Sequence, residues 1–126
     1  MKDEGKRNIE DLRSRTKQFA LRIIRFSSSL PKVQEASIIS KQLLRSGTSA
    51  GANYREAYRA RSNPEFISKI GIVIQELDET AYWLELLVDA KINNGFEINS
   101  LLSETDELIA IFTTVIRKVK NIKHER

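Results

Sequence analysis

Apolar residues recur at alternating spacings of three and four in four separate stretches of the 126-residue chain. This is the period of one face of an α-helix, and no stretch alternates apolar and polar residues with the period of two that a half-buried strand shows. Five glycines and two prolines supply few turns, so the regular elements must be long. The sequence therefore predicts an all-α protein.

Each stretch supplies one apolar stripe to a shared core. The stripes span residues 9–30, 39–60, 70–88 and 101–122, and the predicted corners lie at Pro31, residues 62–65 and residues 93–95. The predicted helix N-caps are Asn8, Asn63 and Asn99. Helices joined by corners this short must be antiparallel to their sequence neighbours. We expect an antiparallel up-down-up-down four-helix bundle, with residues 1–126 as a single domain and short charged tails at about 1–7 and 121–126.

The residue inventory excludes several kinds of chemistry. The chain has no cysteine and one histidine, His124, which rules out disulfides, cysteine nucleophiles and zinc sites built from thiolates or histidine pairs. We expect no cofactor, no metal site and no enzymatic activity. The longest uncharged runs have nine residues each, well short of the ~18 that a membrane span needs. No apolar signal segment opens the chain, and we expect a cytoplasmic protein without membrane contact.

A run of small residues at positions 46–53 interrupts the second helix. Its two glycines, Gly47 and Gly51, cost about 1 kcal/mol each relative to alanine in a helix interior. A phosphate-cradling loop would need a preceding strand and a following lysine, and neither is present. Close approach of a neighbouring helix is the favoured explanation.

The same run carries a family likeness. Residues 45–57 (RSGTSAGANYREA), together with Arg61-Ser62, residues 65–67, Glu79 and residues 82–87 (YWLELL), resemble the bacterial four helix bundle protein family, also known as the 23S ribosomal RNA intervening-sequence protein family. The likeness runs from about residue 15 to residue 120. Many members have glycine at the position of Ala57 and a Gly-Ser pair at Gln75-Glu76, which suggests a subgroup.

The resemblance implies a cytoplasmic bundle that assembles as a ring of five subunits. Some relatives are encoded inside ribosomal RNA insertions, and a distant relative partners a reverse transcriptase and nucleic acid. For most of the family the biochemical role is not established, so the resemblance implies architecture more than function.

Polar residues of the second and third helices form a predicted structural network. A hairpin centred on residue 63 places Arg45 near the turn that carries Glu79, and Asn53, Glu56 and Glu79 match the family pattern. Interhelical ion pairs are a better explanation of the acidic third helix than acid-base catalysis, which we weighed as the alternative. The predicted network is Arg45, Asn53, Glu56 and Glu79.

The third helix also carries more apolar residues than one stripe needs. The surplus includes Ile72, Val73, Tyr82 and Trp83. Either the bundle packs unusually deeply or this surface meets another subunit, and we favour the subunit interface because large exposed apolar patches usually mark contacts.

Basic residues concentrate at one end of the predicted bundle. Residues 1–15, 55–66 and 115–126 contain 13 Lys+Arg and 7 Asp+Glu, a net charge of +6, whereas the rest of the chain has a net charge of −2. The predicted phosphate contacts at this basic pole are Arg55, Arg59, Arg61, Arg117, Lys118 and Lys120. Cations also favour helix C-termini, and outer arginines could instead form ion pairs between subunits.

Two functions remain open from the sequence. In one, a homo-oligomer binds RNA or DNA phosphates through the basic pole without reading bases. In the other, the oligomer is a structural adaptor for a protein partner, for example a nucleic-acid enzyme.

Overall fold

A computed structural model describes the backbone of residues 2–124 and the side chains of residues 11–121. Over that backbone the chain forms four helices and no strand: α1 (Lys2–Ser28), α2 (Gln34–Tyr58), α3 (Asn63–Asp89) and α4 (Phe96–His124). The predicted all-α class is confirmed. Residues 2–7 and 121–124 belong to α1 and α4, so the predicted charged tails continue these helices.

The helices pack against their sequence neighbours, most extensively α2 against α3, and α1 lies against α4 over a smaller region. Two ion pairs show the relative direction of α2 and α3: Arg45 pairs with Glu79, and Glu56, later in α2, pairs with Lys69, earlier in α3. This order is consistent with the predicted antiparallel arrangement.

Most residues of the predicted stripes form the core, and Tyr54, which lies beside the predicted stripe of α2, is buried with them. The largest fully buried side chains include Phe19, Ile23, Leu43, Tyr54, Ile70, Leu77, Leu84, Leu101, Leu108 and Phe112. The rings of Tyr54 and Phe112 lie 5.2 Å apart between centroids, and burial raises the pKa of Tyr54 to about 12. Ile9 and Ile122, the ends of the first and last stripes, lie outside the described side chains.

Five serine and threonine side chains are buried among these apolar groups: Thr16, Ser27, Ser46, Thr80 and Thr105. The Ser27 hydroxyl has no hydrogen-bond partner among the described residues. Thr16 Oγ1 donates to the Leu12 carbonyl at 2.8 Å, and Thr80 Oγ1 lies 2.9 Å from Ser46 Oγ in a hydrogen bond that joins α3 to α2. These bonds satisfy groups whose burial would otherwise destabilise the bundle.

The predicted N-caps are wrong. Ser62 caps α3, because its Oγ accepts a hydrogen bond from the Glu65 backbone N–H at 3.2 Å. The Ser-x-x-Glu spacing is the signature of a capping box, and it places Asn63 inside the helix. Asn8 and Asn99 also lie inside helices, since α1 begins at Lys2 and α4 at Phe96.

The third corner also begins earlier than predicted. Helix α3 ends at Asp89, and the chain turns through Lys91, which has a φ of 60°. No glycine in the described chain has a positive φ. Residues 93–95 follow the turn, where Asn93 Oδ1 accepts a hydrogen bond from the Gly95 N–H at 3.1 Å.

Gly47 explains the small-residue run. A Cβ at this position would lie 2.9 Å from both Cγ1 and Cγ2 of Ile23 in α1, closer than carbon atoms pack. The predicted close approach of a neighbouring helix is therefore confirmed at Gly47.

None of the described helices is long and apolar enough to cross a membrane.

Candidate nucleic-acid interface

Three of the six predicted phosphate contacts line grooves beside α1: Arg55 and Arg59 on its α2 side, and Lys118 on its α4 side. Arg55 and Arg59 lie in the last turn and at the C-cap of α2, and Arg61 lies in the corner that follows. Arg117, Lys118 and Lys120 lie near the end of α4. All six are at least partly exposed.

On one side, α1 and α2 form a groove of about 350 Å³. Four cations line it: Arg13, Lys17, Arg55 and Arg59. The remaining lining residues are Thr16, Ala20, Thr48, Gly51, Ala52 and Glu56. The groove therefore combines cations with a floor of mostly small side chains, and we call it the α1–α2 groove.

The carboxylate of the α1–α2 groove is already engaged. Glu56 Oε1 lies 3.7 Å from Lys69 Nζ of α3. One of the four cations has an aromatic partner, since Arg13 Cζ lies 4.6 Å from the Tyr58 ring centroid in cation–π geometry. None of the four forms a salt bridge to another described side chain. Among the described side chains, the positive charge of the groove is therefore not compensated by salt bridges.

On the other side, α1 and α4 form a second groove of about 500 Å³, which contains Lys118. It differs in charge, because the acidic residues Asp11 and Glu107 line it together with Arg15. Its floor includes the half-buried side chains of Ile111 and Val115. We call it the α1–α4 groove. Lys118 lines this groove and not the α1–α2 groove that contains Arg55 and Arg59.

Three other arginines of the bundle, Arg15, Arg22 and Arg45, form salt bridges with carboxylates, whereas Arg13 and Arg25 form none with the described side chains. Arg15 Nη2 lies 2.7 Å from Glu104 Oε1 and 2.9 Å from Glu107 Oε1, and its Nε donates to Glu104 Oε2 at 2.8 Å. These hydrogen bonds raise the pKa of Arg15 well above its ordinary value. Arg22 pairs with Glu97 at 3.2 Å. Within the described side chains, none of the six predicted contacts has such a partner.

Two of the groove cations are not among the predicted phosphate contacts. Arg13 and Lys17 are one helical turn apart on α1, on the flank that faces α2. Their spacing was visible in the sequence, but the flank that they occupy depends on which neighbour α1 meets there. Only the packed structure places them opposite Arg55 and Arg59.

The predicted polar network divides into separate groups. Arg45 forms a short hydrogen-bonded ion pair with Glu79, and its Nη1 lies 3.3 Å from Glu76 Oε2. Hydrogen bonding to Arg45 lowers the pKa of Glu79, and Trp83 Nε1 donates to Glu79 Oε1 at 3.4 Å.

The other two members of that network bind elsewhere. Asn53 Nδ2 donates to the Ser49 carbonyl of its own helix at 2.9 Å, and Glu56 pairs with Lys69. Residues 45 and 56 are about 16 Å apart along a helix, too far for one cluster. The structure thus brings together Arg45 and Glu79 but not Asn53 or Glu56.

The four predicted interface residues differ in how deeply they are buried. Val73 is fully buried within the subunit core, so its assignment to an interface is wrong and the alternative of deep packing holds there. Trp83 is half-buried against the core, and Ile72 is half-buried. Tyr82 is 53% exposed, and its ring centroid lies 5.1 Å from that of Trp83.

A model of the 23S rRNA-intervening sequence protein family matches residues 11–114. The chain belongs to this family. It is also similar to a crystal structure of a protein with unknown function from the S23 ribosomal protein family of Bacteroides thetaiotaomicron, at 36% sequence identity and a TM-score of 0.80. That match covers 86% of this chain and 97% of the other. No curated protein matches the chain.

The family match bears differently on the two grooves. Residues 11–114 include all four cations of the α1–α2 groove and Arg61. They end before Arg117, Lys118 and Lys120. The α1–α2 groove is therefore built wholly from the part of the chain that matches the 23S rRNA-intervening sequence protein family.

Proposed function

We propose that this family member is a non-catalytic, up-down-up-down bundle that binds RNA or DNA phosphates through its basic pole. The carrying observation is that the side chains of Arg55, Arg59, Arg61, Arg117, Lys118 and Lys120 are accessible and form no salt bridge in the described part of the chain. Arg15, Arg22 and Arg45 all have one. The family name, which refers to an intervening sequence of 23S rRNA, supports a nucleic-acid partner.

The proposed contact is with phosphates and not with bases. The aromatic ring beside the α1–α2 groove, Tyr58, lies under the Arg13 guanidinium, so it offers no free face on that side for base stacking. Arginine and lysine contacts to phosphates fix position without reading sequence. Affinity should accordingly fall steeply with salt and be indifferent to base sequence.

A non-catalytic role is supported by how the acidic residues of α3 are used. Glu76 and Glu79 both face Arg45. Carboxylates engaged in this way serve the α2–α3 contact.

We also propose that the bundle assembles with itself, as a ring of five by family resemblance. Tyr82 and Trp83 support a contact surface, since they form an edge-to-face aromatic pair at the surface of α3. The same aromatic pair favours the second candidate function, an adaptor whose partner is another protein, because aromatic residues are enriched at protein interfaces.

The experiment measures binding of labelled RNA and DNA by fluorescence anisotropy at several salt concentrations. The double variant Arg59→Glu/Lys118→Glu should lose at least ten-fold in affinity, and the salt slope should become shallower by about 0.7 to 0.9 for each phosphate that is no longer neutralised. Circular dichroism and light scattering should show unchanged helicity and oligomer size.

The matched control is Arg25→Glu/Lys32→Glu, which makes the same charge change at exposed positions at and just after the C-terminal end of α1. It should retain most of the affinity. Equal losses in the two double variants would show that net charge and not the basic pole governs binding. Absence of wild-type binding at low ionic strength would leave the adaptor function.

A further inference from the structure

The α1–α2 groove has an open floor that helix packing does not require. At Gly51 an added Cβ would lie 3.4 Å from the Thr16 carbonyl oxygen and 3.5 Å from Thr16 Cβ, which is ordinary van der Waals contact. Gly47, one turn earlier, has no such room. Alanine would stabilise a helix by about 1 kcal/mol relative to glycine. The α1–α2 contact does not explain this loss of stability at Gly51, where the absence of a side chain keeps the groove open.

Each of the two helices that form this groove carries two cations spaced along the length of the groove. Arg13 and Lys17 are four residues apart on α1, and Arg55 and Arg59 are four residues apart on α2. Four residues rise about 6 Å along a helix, which is of the order of the distance between successive phosphates in an extended strand. Each wall can therefore offer one cation to each of two neighbouring phosphates.

The width of the groove limits what can enter it. Packed helices have axes about 8–10 Å apart, and the groove between α1 and α2 has a volume of about 350 Å³. This space suits a narrow sugar–phosphate backbone that descends towards Gly51 and Ala52. A duplex could touch the rim only.

We propose that the α1–α2 groove holds the sugar–phosphate backbone of a single nucleic-acid strand, with two consecutive phosphates between the Arg13–Lys17 wall and the Arg55–Arg59 wall. This inference rests on the proposed function. It specifies which groove binds the nucleic acid and that the bound nucleic acid is single-stranded. It also assigns phosphate contact to Arg13 and Lys17, which are not among the six predicted phosphate contacts.

A steric test separates the two grooves without changing charge. Ala52 is an exposed residue on the floor of the α1–α2 groove, and Ala110 is an exposed residue of the α1–α4 groove. Ala52→Leu should weaken binding of a labelled 20-nucleotide poly-uridine at least five-fold. Ala110→Leu, the same substitution in the other groove, should leave that affinity within two-fold.

A second comparison tests the form of the ligand. The wild-type protein should bind the single strand at least several-fold more tightly than an RNA duplex of equal length at the same salt concentration. Lys17→Glu should lower the single-strand affinity and make its salt slope shallower by about 0.7, the value for one phosphate of a single strand. Thermal unfolding of each variant confirms that the bundle is intact.

The contrary outcomes are distinct. If Ala110→Leu weakens binding and Ala52→Leu does not, the proposed function stands but the α1–α2 groove is not the binding site. Tighter binding of duplex overturns the single-strand assignment. Poly-glutamate that competes as well as RNA would overturn it too, by identifying an acidic protein segment as the occupant. Absence of any wild-type binding overturns both proposals.

Discussion

The two flanks of α1 use the same residue types in opposite ways. Towards α4, Arg15 and Arg22 meet Glu104, Glu107 and Glu97. Towards α2, Arg13 and Lys17 face other cations and have no carboxylate partner among the described side chains. Whether an arginine supports the fold or remains available to a ligand thus depends on the residue that the neighbouring helix places opposite it.

The two flanks also differ in what holds the helices together. On the α2 flank, the backbone of Gly47 lies against Ile23, which is fully buried, so the contact depends on close packing. On the α4 flank the helices approach over a smaller region and ion pairs span the contact. Packing is sensitive to single methyl groups, whereas partly exposed ion pairs contribute about 0–1 kcal/mol.

The largest effect expected from this comparison is that of Gly47→Ala. The new methyl group would meet two carbons of Ile23 at 2.9 Å, and relief requires a shift of the buried side chain or of α1. Such overpacking typically costs about 1–3 kcal/mol, partly offset by the higher helix propensity of alanine. Urea unfolding should therefore show a net loss of stability.

Gly51→Ala is the matched control for that substitution. The nearest atom to its Cβ, the Thr16 carbonyl oxygen, lies at 3.4 Å, so the free energy of unfolding should stay constant or rise by up to about 1 kcal/mol. If both variants lost stability equally, the close approach at Gly47 would not distinguish the two positions.

An intermediate effect is expected on the α4 flank. Arg15→Met removes the hydrogen bonds to Glu104 and the ion pair with Glu107 while keeping most of the apolar stem, and should destabilise the bundle by about 0.5–1 kcal/mol. The loss should shrink at high salt concentration. Lys17→Met, on the unpaired flank, should change stability by less than about 0.5 kcal/mol. A larger loss for Lys17→Met would contradict the assignment of the two flanks.

Much of this comparison could be predicted in outline from the sequence. The four stripes were visible because one face of each helix must be apolar, and stripe residues such as Phe19, Leu43, Leu77 and Phe112 are fully buried. The pairing of Arg45 with Glu79 followed from hairpin geometry alone. Both depend only on helical period and the positions of the corners.

The parts that the sequence did not yield depend on rotation about helix axes. Val73 is core while Tyr82 is exposed, although both belonged to one apolar surplus. Asn53 bonds its own helix, and Glu56 meets Lys69 and not Arg45. Arg13 and Lys17 became groove residues only when α1 lay against α2. An apolar stripe predicts which face of a helix points into the core. It does not predict which neighbouring helix lies on each side of that face.

The smallest expected effect is a dependence of stability on pH. It tests Arg45, a paired arginine at the contact between α2 and α3. Hydrogen bonding to Arg45 lowers the pKa of Glu79 in the folded chain. The ionised pair therefore stabilises the fold above about pH 4.5, the ordinary pKa of a glutamate, and this contribution is lost as pH falls through the lowered value. Arg45→Met should thus be less stable than the wild type at pH 7, and the difference should be smaller at pH 3 in urea unfolding. The contribution is small because Arg45 is exposed, and water screens exposed pairs.

Lys41→Met, at an exposed lysine one turn earlier with no ion pair in the described chain, should show no such dependence. A loss in Arg45→Met that was equally large at both pH values would mean that Arg45 stabilises the α2–α3 contact through its apolar stem, so that its charge, like that of the α1–α2 groove cations, is not used by the fold.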